Sequence, residues 1–202
     1  MRINYYNNRA NLSNFALAAM FFLATAYLFH QYAKTGQLSI ILNVIFYAVS
    51  VVCVLVRRPA KEVDVSIFSR IFTFAGIALP MLLIPSTKSE LLIGHVLQLG
   101  GIGISILGLF SLNKSFGLVA ANRGIVSNGL YRFVRHPLYS SYELTIIGFI
   151  INNFSIYNIA IACLHLAFQL QRIKYEEDLL RKDPNYQKYT KETRWRLFPF
   201  IY

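Results

Sequence analysis

Charged residues are scarce in this chain of 202 residues, of which Asp, Glu, Lys and Arg make up only 14%. Soluble domains carry about 25% charged residues, so the composition argues against a soluble enzyme with a water-covered surface. With 55% hydrophobic residues, the chain is also too apolar to be intrinsically disordered. Acidic residues are scarcer than basic ones, because the chain has 9 Asp and Glu and 20 Lys and Arg. Its net charge is therefore +11.

Cysteine is scarce as well, and the chain has no Cys-x-x-Cys motif. Cys53 and Cys163 lie in separate hydrophobic stretches, which favours buried apolar side chains over a disulfide or a redox site. His30, His95 and His165 are isolated in the sequence, and their spacing is not typical of metal or haem ligands. We therefore predict no metal site.

Long stretches without charged residues predict membrane-spanning helices. These stretches are residues 10–33, 35–56, 71–87, 91–113 and 144–171. About 20 apolar residues cross a hydrocarbon layer of ~30 Å, a length that the first, second and fourth stretches reach and the third barely reaches. Asn152 and Asn153 interrupt the fifth stretch, which predicts a helical hairpin with arms at 138–151 and 156–171. The predicted fold class is an all-α integral membrane protein with four transmembrane helices, a C-terminal helical hairpin (about six membrane helices in all) and a cytoplasmic C-terminal helical segment.

The basic residues are distributed unevenly across this predicted topology. All Lys and Arg except Lys34 and Lys88 fall on one side, and the positive-inside rule places that side, with both termini, in the cytoplasm. We expect a multi-pass protein, in the cell inner membrane if the host is bacterial. Anionic lipid attracts such charge, so no nucleic-acid partner is needed to explain it.

We predict one membrane domain over residues 1–202. Residues 1–112 would form scaffold spans. The composition changes after Asn113, where the chain becomes polar, basic and glycine-containing, and residues 113–202 would bind cofactor and substrate.

One candidate site lies where the hairpin opens, at Arg135-His136-Pro137. Proline suits the first turn of a helix. On the helix that starts there, one face carries His136, Tyr139, Ser140 and Glu143. Ionisable groups at membrane depth are functional by default. A capping role for His136 and a structural pairing of Glu143 with Arg132 or Arg135 stay open.

A second candidate site is formed by Arg172, Glu176 and Glu177. Arg172 and Glu176 are helix neighbours at i, i+4, so a simple salt bridge is one interpretation. The other is an arginine for an acidic substrate group beside a glutamate for a cationic ligand group. Both candidate sites lie on the cytoplasmic side of the predicted topology, where a water-soluble cofactor can meet a membrane-dissolved substrate.

The run from Arg123 to Tyr139, RGIVSNGLYRFVRHPLY, resembles the signature of the isoprenylcysteine carboxyl methyltransferase and phospholipid methyltransferase families. Three later segments share the resemblance: Arg172-Ile-Lys-Tyr-Glu176-Glu177, Tyr186-x-x-Tyr189 and Arg196-Leu-Phe-Pro199. The resemblance covers about residues 109–202. Two positions depart from the family pattern, because Arg123 stands where the carboxyl methyltransferases usually have His and Ser141 where the motif usually continues to Gly.

The resemblance implies a methyltransferase that uses S-adenosylmethionine and acts on a lipid, lipidated or hydrophobic acceptor at the cytoplasmic membrane face. It implies that Arg172 contacts the substrate. The implied cofactor-binding residues are Arg123, Gly124, Ile125, Val126, Tyr131, His136, Pro137, Leu138, Tyr139 and Glu176. A carboxylate acceptor needs no general base, whereas an amine or thiol must lose a proton, for which Glu143 and Glu177 are the candidate acceptors.

Two other functions stay open. Sterol-type reductases, which use NADPH, share a similar Arg-His-Pro-x-Tyr segment and a C-terminal ending like residues 198–202. They usually have Glu directly after that motif, and Glu143 lies one residue late. A non-enzymatic lipid-binding membrane protein is the third possibility, which the departures at Arg123 and Ser141 keep open.

Overall fold

The computed structural model describes Phe15 and residues 18–19, 21–30, 32–34, 38–84 and 91–202, and most of these residues are helical. The labelled helices are α1 (Leu38–Val56), α2 (Ile67–Ala78), α3 (Leu92–Leu112), α4 (Pro137–Asn152), α5 (Ile156–Leu180) and α6 (Pro184–Glu192). Single 3-10 turns lie at Leu79–Leu82, Asn113–Ser115 and Gly129–Arg132. Residues 21–30 are also helical. Arg2, Arg9 and Lys88, which take part in the predicted topology, lie outside the described residues.

Helix α3 corresponds to the predicted fourth span. Together with the 3-10 turn that follows it, the segment Leu92–Ser115 is the one helix, within the described part of the chain, that is long and apolar enough to cross a membrane. Only 33% of its most apolar window is buried in the protein, whereas a core helix of a soluble protein is mostly buried. The total of about six membrane helices stays a prediction.

Small residues bring α3 and α4 into close contact. Gly101 is buried, and a Cβ atom there would lie against Thr145 Oγ1 and 2.7 Å from the Ser141 carbonyl oxygen. The Oγ atoms of Ser105 and Ser141 are 2.6 Å apart, and Ser141 is fully buried. Small side chains let helices approach closely in lipid. Ser141, at a position that departs from the family pattern, therefore adds a hydrogen bond to this contact.

The predicted hairpin is confirmed, since α4 ends at Asn152 and α5 begins at Ile156. The hydroxyl of Ser155 caps α5 by accepting a hydrogen bond from the backbone N–H of Asn158. The Asn158 amide donates to the carbonyl oxygens of Asn153 at 2.7 Å and Ile84 at 2.9 Å. The polar residues that interrupt the hydrophobic stretch thus hold the turn together. Beyond the turn, α4 packs mainly on α3 and α5 mainly on α2.

A two-stranded antiparallel ladder, absent from the all-α prediction, joins the loops beside the helices. Strand β1 (Glu62–Val63) pairs with β2 (Ala121–Asn122), with Glu62 opposite Asn122. Strands of two residues have no periodic pattern by which a sequence could reveal them. The Asn122 side chain also donates to Asp183, whose carboxylate caps α6, so the ladder is tied to the C-terminal segment.

The two cysteines differ in environment. Cys53 is buried beside Val54 and Leu109, as expected. Cys163 is exposed on α5, so the expectation of a buried side chain is wrong there. A helix that is apolar on every face gives no sequence signal for which face points outward.

Candidate active site

A cavity opens where the beginning of α4 faces the charged half of α5. Its empty space, including the open solvent at its mouth, is about 600 Å³. Its polar lining includes Arg123, His136, Tyr139, Arg172 and Glu176. Its apolar lining includes Leu112, Phe116, Leu118, Val119 and Leu138. The lining therefore combines polar and apolar side chains.

The backbone before α4 fixes the position of His136. The N–H groups of Arg135 and His136 donate to the carbonyl oxygens of Trp195 and Arg196, each at 2.9 Å. Pro137 then begins the helix, as predicted. Tyr139 follows one turn later, and its ring centroid lies 5.5 Å from that of His136. The C-terminal segment thus holds the two aromatic side chains in the cavity wall.

Glu176 of α5 lies beside these two side chains in the lining of the cavity. The Tyr139 hydroxyl donates to Glu176 Oε2 at 2.8 Å. His136 Nδ1 lies 4.0 Å from the same oxygen. The Glu176 side chain keeps 31% exposure, so its carboxylate is accessible from the cavity. Three predicted site residues therefore share one wall although 40 positions separate the first from the last.

Arg172 contributes a buried positive charge to the cavity. Its guanidinium carbon lies 5.0 Å from the centroid of the Tyr139 ring, in a cation–π arrangement. No ion pair links it to Glu176, so the i, i+4 salt bridge considered from the sequence is not formed. Its Nε–H is buried and has no acceptor among the described residues.

Arg123 supplies a second cation on the loop that follows β2. Burial, and then the charge of Arg57, lower the pKa of Arg123 to about 10. Its guanidinium fits against Gly117, where a Cβ atom would lie 2.5 Å from Nη1. Like that of Arg172, its buried Nε–H has no acceptor in the described part of the chain. Two cations and one carboxylate make the polar lining of the cavity suited to an anionic group.

Residues 89–188 match the family model of phospholipid methyltransferases. This part of the chain belongs to the phospholipid methyltransferase family. The resemblance inferred from the sequence motifs is therefore confirmed, and the matched region contains His136, Tyr139, Arg172 and Glu176. No curated protein matches the chain significantly. The family is a methyltransferase family, so the cavity described above lies within a methyltransferase domain.

Glu177 lies behind the cavity of this methyltransferase domain and not in its lining. Its carboxylate is 3.0 Å from Arg135 Nε, 3.0 Å from Arg181 Nη2, 3.1 Å from Arg196 Nε and 3.3 Å from His136 Nε2. Burial raises the pKa of Glu177, but the hydrogen bond with His136 and the charges of Arg135 and Arg196 outweigh it and lower the pKa to about 2. An ionised carboxylate with both oxygens engaged is a structural anchor, so the geometry argues against the expected role as proton acceptor.

Glu143 also lies outside the cavity lining. It is buried in α4, with Oε1 3.0 Å from Nδ1 of His165 on α5. Its partner is neither Arg132 nor Arg135, the two that the sequence suggested. His165, which is isolated in the sequence, meets Glu143 only because the hairpin brings the two helices together. A direct role for Glu143 in removing a proton from an acceptor therefore has no geometric support.

The other implied cofactor residues divide into two groups. Tyr131 and Leu138 line the cavity, whereas Gly124, Ile125, Val126 and Pro137 do not. Gly124 has a φ of +102° and donates its N–H to the Asn122 side chain at 3.0 Å, so it shapes the turn that presents Arg123. Across the described residues, no group of three or more His, Cys, Asp or Glu is arranged to hold a metal ion.

Sequence reasoning missed the apolar wall formed by Phe116, Leu118 and Val119. Apolar residues in a membrane protein have no chemical signature, so their use in a binding site cannot be separated from general burial. Gly117 is the one available signal, because a glycine between bulky residues can mark a close approach.

Proposed function

We propose that the protein is an S-adenosylmethionine-dependent methyltransferase that modifies a lipid, lipidated or otherwise hydrophobic acceptor at the cytoplasmic membrane face. One observation carries this proposal: a single cavity in a methyltransferase family domain combines His136, Tyr139 and Glu176 with an apolar wall. Such a lining offers polar groups to a charged methyl donor and apolar contacts to a hydrophobic acceptor.

The polar groups of the cavity fit the cofactor. S-adenosylmethionine carries a sulfonium, an ammonium and a carboxylate. The accessible carboxylate of Glu176 suits the ammonium or the ribose hydroxyls. The guanidinium of Arg123, which lines the cavity, and the first N–H groups of α4, which have no intrahelical acceptor, suit the carboxylate. The cofactor, when bound, supplies an electrophilic methyl group.

The residues of this chain would act mainly by positioning. Holding two reactants at near-attack distance can contribute about 7–11 kcal/mol. Tyr139 holds the Glu176 carboxylate by its hydrogen bond, and Arg172 would orient an anionic group of the acceptor. Because Glu143 and Glu177 are engaged elsewhere, an acceptor that loses no proton, such as a carboxylate, suits the site best.

The surface of α3 supports a membrane location. Leu92, Val96, Leu107 and Phe110 are each 53–79% exposed along its length. Soluble monomers rarely present continuous apolar patches of this kind, which lipid would cover. Together with the uneven distribution of Lys and Arg, this surface supports a multi-pass protein with both termini and the cavity on the cytoplasmic side.

The proposal is tested by calorimetry on the detergent-purified protein with S-adenosylmethionine, S-adenosylhomocysteine and NADPH. We expect binding of the first two and not of NADPH. Glu176→Ala and His136→Ala should weaken binding about tenfold or more. Asp178→Ala is the control, since Asp178 is two residues from Glu176 and 54% exposed. Binding of NADPH alone, or of none of the three, would refute the proposal.

Transfer of a labelled methyl group would then identify the acceptor class. The probes are phosphatidylethanolamine vesicles, which offer an amine, and N-acetyl-S-farnesylcysteine, which offers a carboxylate. The geometry predicts faster methylation of the second probe.

A further inference from the structure

A row of buried polar side chains leads from the cavity into the helix packing. It consists of Glu143 on α4 and of His165, Gln169 and Arg172 on α5, all at most 6% exposed. The three α5 residues follow one another at intervals of four and three positions, so they share one helix face. Polar groups are costly to bury unless they are paired. The row therefore needs a structural or functional reason.

The direction of each hydrogen bond in the row follows from Arg172. A guanidinium has only donors, and Arg172 Nη1 donates to Gln169 Oε1 at 2.7 Å. The NH₂ group of Gln169 therefore faces His165 Nε2, at 3.2 Å, and donates to it. An imidazole that accepts at Nε2 is neutral and carries its proton on Nδ1. That nitrogen lies 3.0 Å from Glu143 Oε1.

The Gln169 contact is the shortest polar contact of Arg172. The other one, from Nη2 to the Leu118 carbonyl oxygen, is 3.4 Å long. Helix α2 closes the space behind the pair at Gly76, where a Cβ atom would lie 3.3 Å from Arg172 Cδ and 3.6 Å from Gln169 Oε1. The orientation of the guanidinium therefore depends on the amide of Gln169, which contacts His165, and on the Tyr139 ring over which the guanidinium lies.

We infer that Glu143, His165 and Gln169 are positioning residues that hold the Arg172 guanidinium in the cavity wall, where it would meet an anionic group of the acceptor. Glu143 serves this role through the close contact of its carboxylate with His165 Nδ1, without taking up a proton. The identity of the group that Arg172 binds rests on the proposed function. The ordering of the Arg172 side chain does not depend on it.

The first test measures the ordering of Arg172 without any ligand. Hydrogen exchange of its side-chain Nε–H is followed by NMR in detergent, with the signal assigned by its loss in Arg172→Lys. Exchange should stay slow in Glu143→Gln, whose amide oxygen can occupy the same place beside His165 Nδ1. Exchange should be about tenfold faster or more in Gln169→Leu and Glu143→Leu. Unchanged exchange in Gln169→Leu would overturn the inference.

The second test separates positioning from proton transfer and from general stability. With the acceptor probe that the wild-type protein methylates, Gln169→Leu should raise the acceptor KM about tenfold and leave S-adenosylhomocysteine affinity unchanged, although Tm falls because Arg172 and His165 lose a buried partner. Glu143→Gln should behave like wild type in all three. Loss of turnover in Glu143→Gln with slow Arg172 exchange would identify a proton acceptor and contradict the inference.

Two further outcomes are informative. A parallel loss of Tm, cofactor affinity and acceptor affinity in Gln169→Leu would indicate a purely structural row and also contradict the inference. If the wild-type protein binds no S-adenosylmethionine, the proposed function fails, while the NMR comparison still decides whether the row orders Arg172.

Discussion

Replacing Glu177 with glutamine should destabilise the protein strongly. The Glu177 side chain is 1% exposed, and three arginines and His136 lie within 3.0–3.3 Å of its carboxylate. Its pKa is lowered from 4.5 to about 2, which corresponds to about 3 kcal/mol of stabilisation at neutral pH. Removing one partner of a buried ion pair costs about 3–5 kcal/mol in general, so the two magnitudes agree.

Thermal unfolding of the detergent-purified protein checks this prediction. For a chain of this length, a loss of about 3 kcal/mol lowers Tm by roughly 6–12 °C. Because the pKa of Glu177 is lower in the folded protein, its contribution is fully present above the unfolded pKa of 4.5 and is lost as pH falls towards 2. The difference in Tm between wild type and Glu177→Gln should therefore shrink below pH 4.5.

Asp178→Asn is the matched control. Asp178 is 54% exposed and lies 3.6 Å from Arg181, so its replacement should change stability by about 1 kcal/mol at most. A Tm of Glu177→Gln equal to that of wild type at pH 7 would refute the reasoning. So would a difference that stays constant as the pH falls from 5 to 3.

Gly101→Ala should lower the stability by about 1–3 kcal/mol in thermal unfolding, because its Cβ atom would meet the α4 backbone. Gly103→Ala, whose Cβ atom has no neighbour within 4 Å, is the control, and an equal loss in both would contradict the α3–α4 packing described. In a background without Cys53 and Cys163, a membrane-impermeant thiol reagent should label Lys88→Cys from outside intact cells. It should label Lys188→Cys only after the cytoplasmic side is opened, and the reverse pattern would invert the topology.

Local properties of the sequence were sufficient to predict most helices. The charge-free stretch at 91–113 became α3, and Asn152-Asn153 became the turn between α4 and α5. Pro137 begins α4 as expected, and Asp183-Pro184 separates α5 from α6. These features depend on hydrophobicity and on backbone preferences within a few residues, which the sequence carries directly.

The sequence motifs anticipated that part of the candidate site would lie together. His136, Tyr139, Arg172 and Glu176 do meet in one cavity. Residues 124–126 do not line the cavity, and Gly124 instead shapes the turn that presents Arg123. A motif records which residues a family uses, but it does not separate those that touch the cavity from those that hold the backbone.

The sequence by itself determined the apolar helical body, the hairpin and the methyltransferase motifs, because each is written in neighbouring residues. Only the tertiary structure decided which carboxylate faces the cavity and which carboxylates contact other side chains instead. Glu176 and Glu177 are adjacent in the chain, yet a rotation of about 100° around the helix directs one to the cavity and the other to three arginines. Glu143 meets His165 only because two helices cross at that depth, and no local pattern encodes such a crossing.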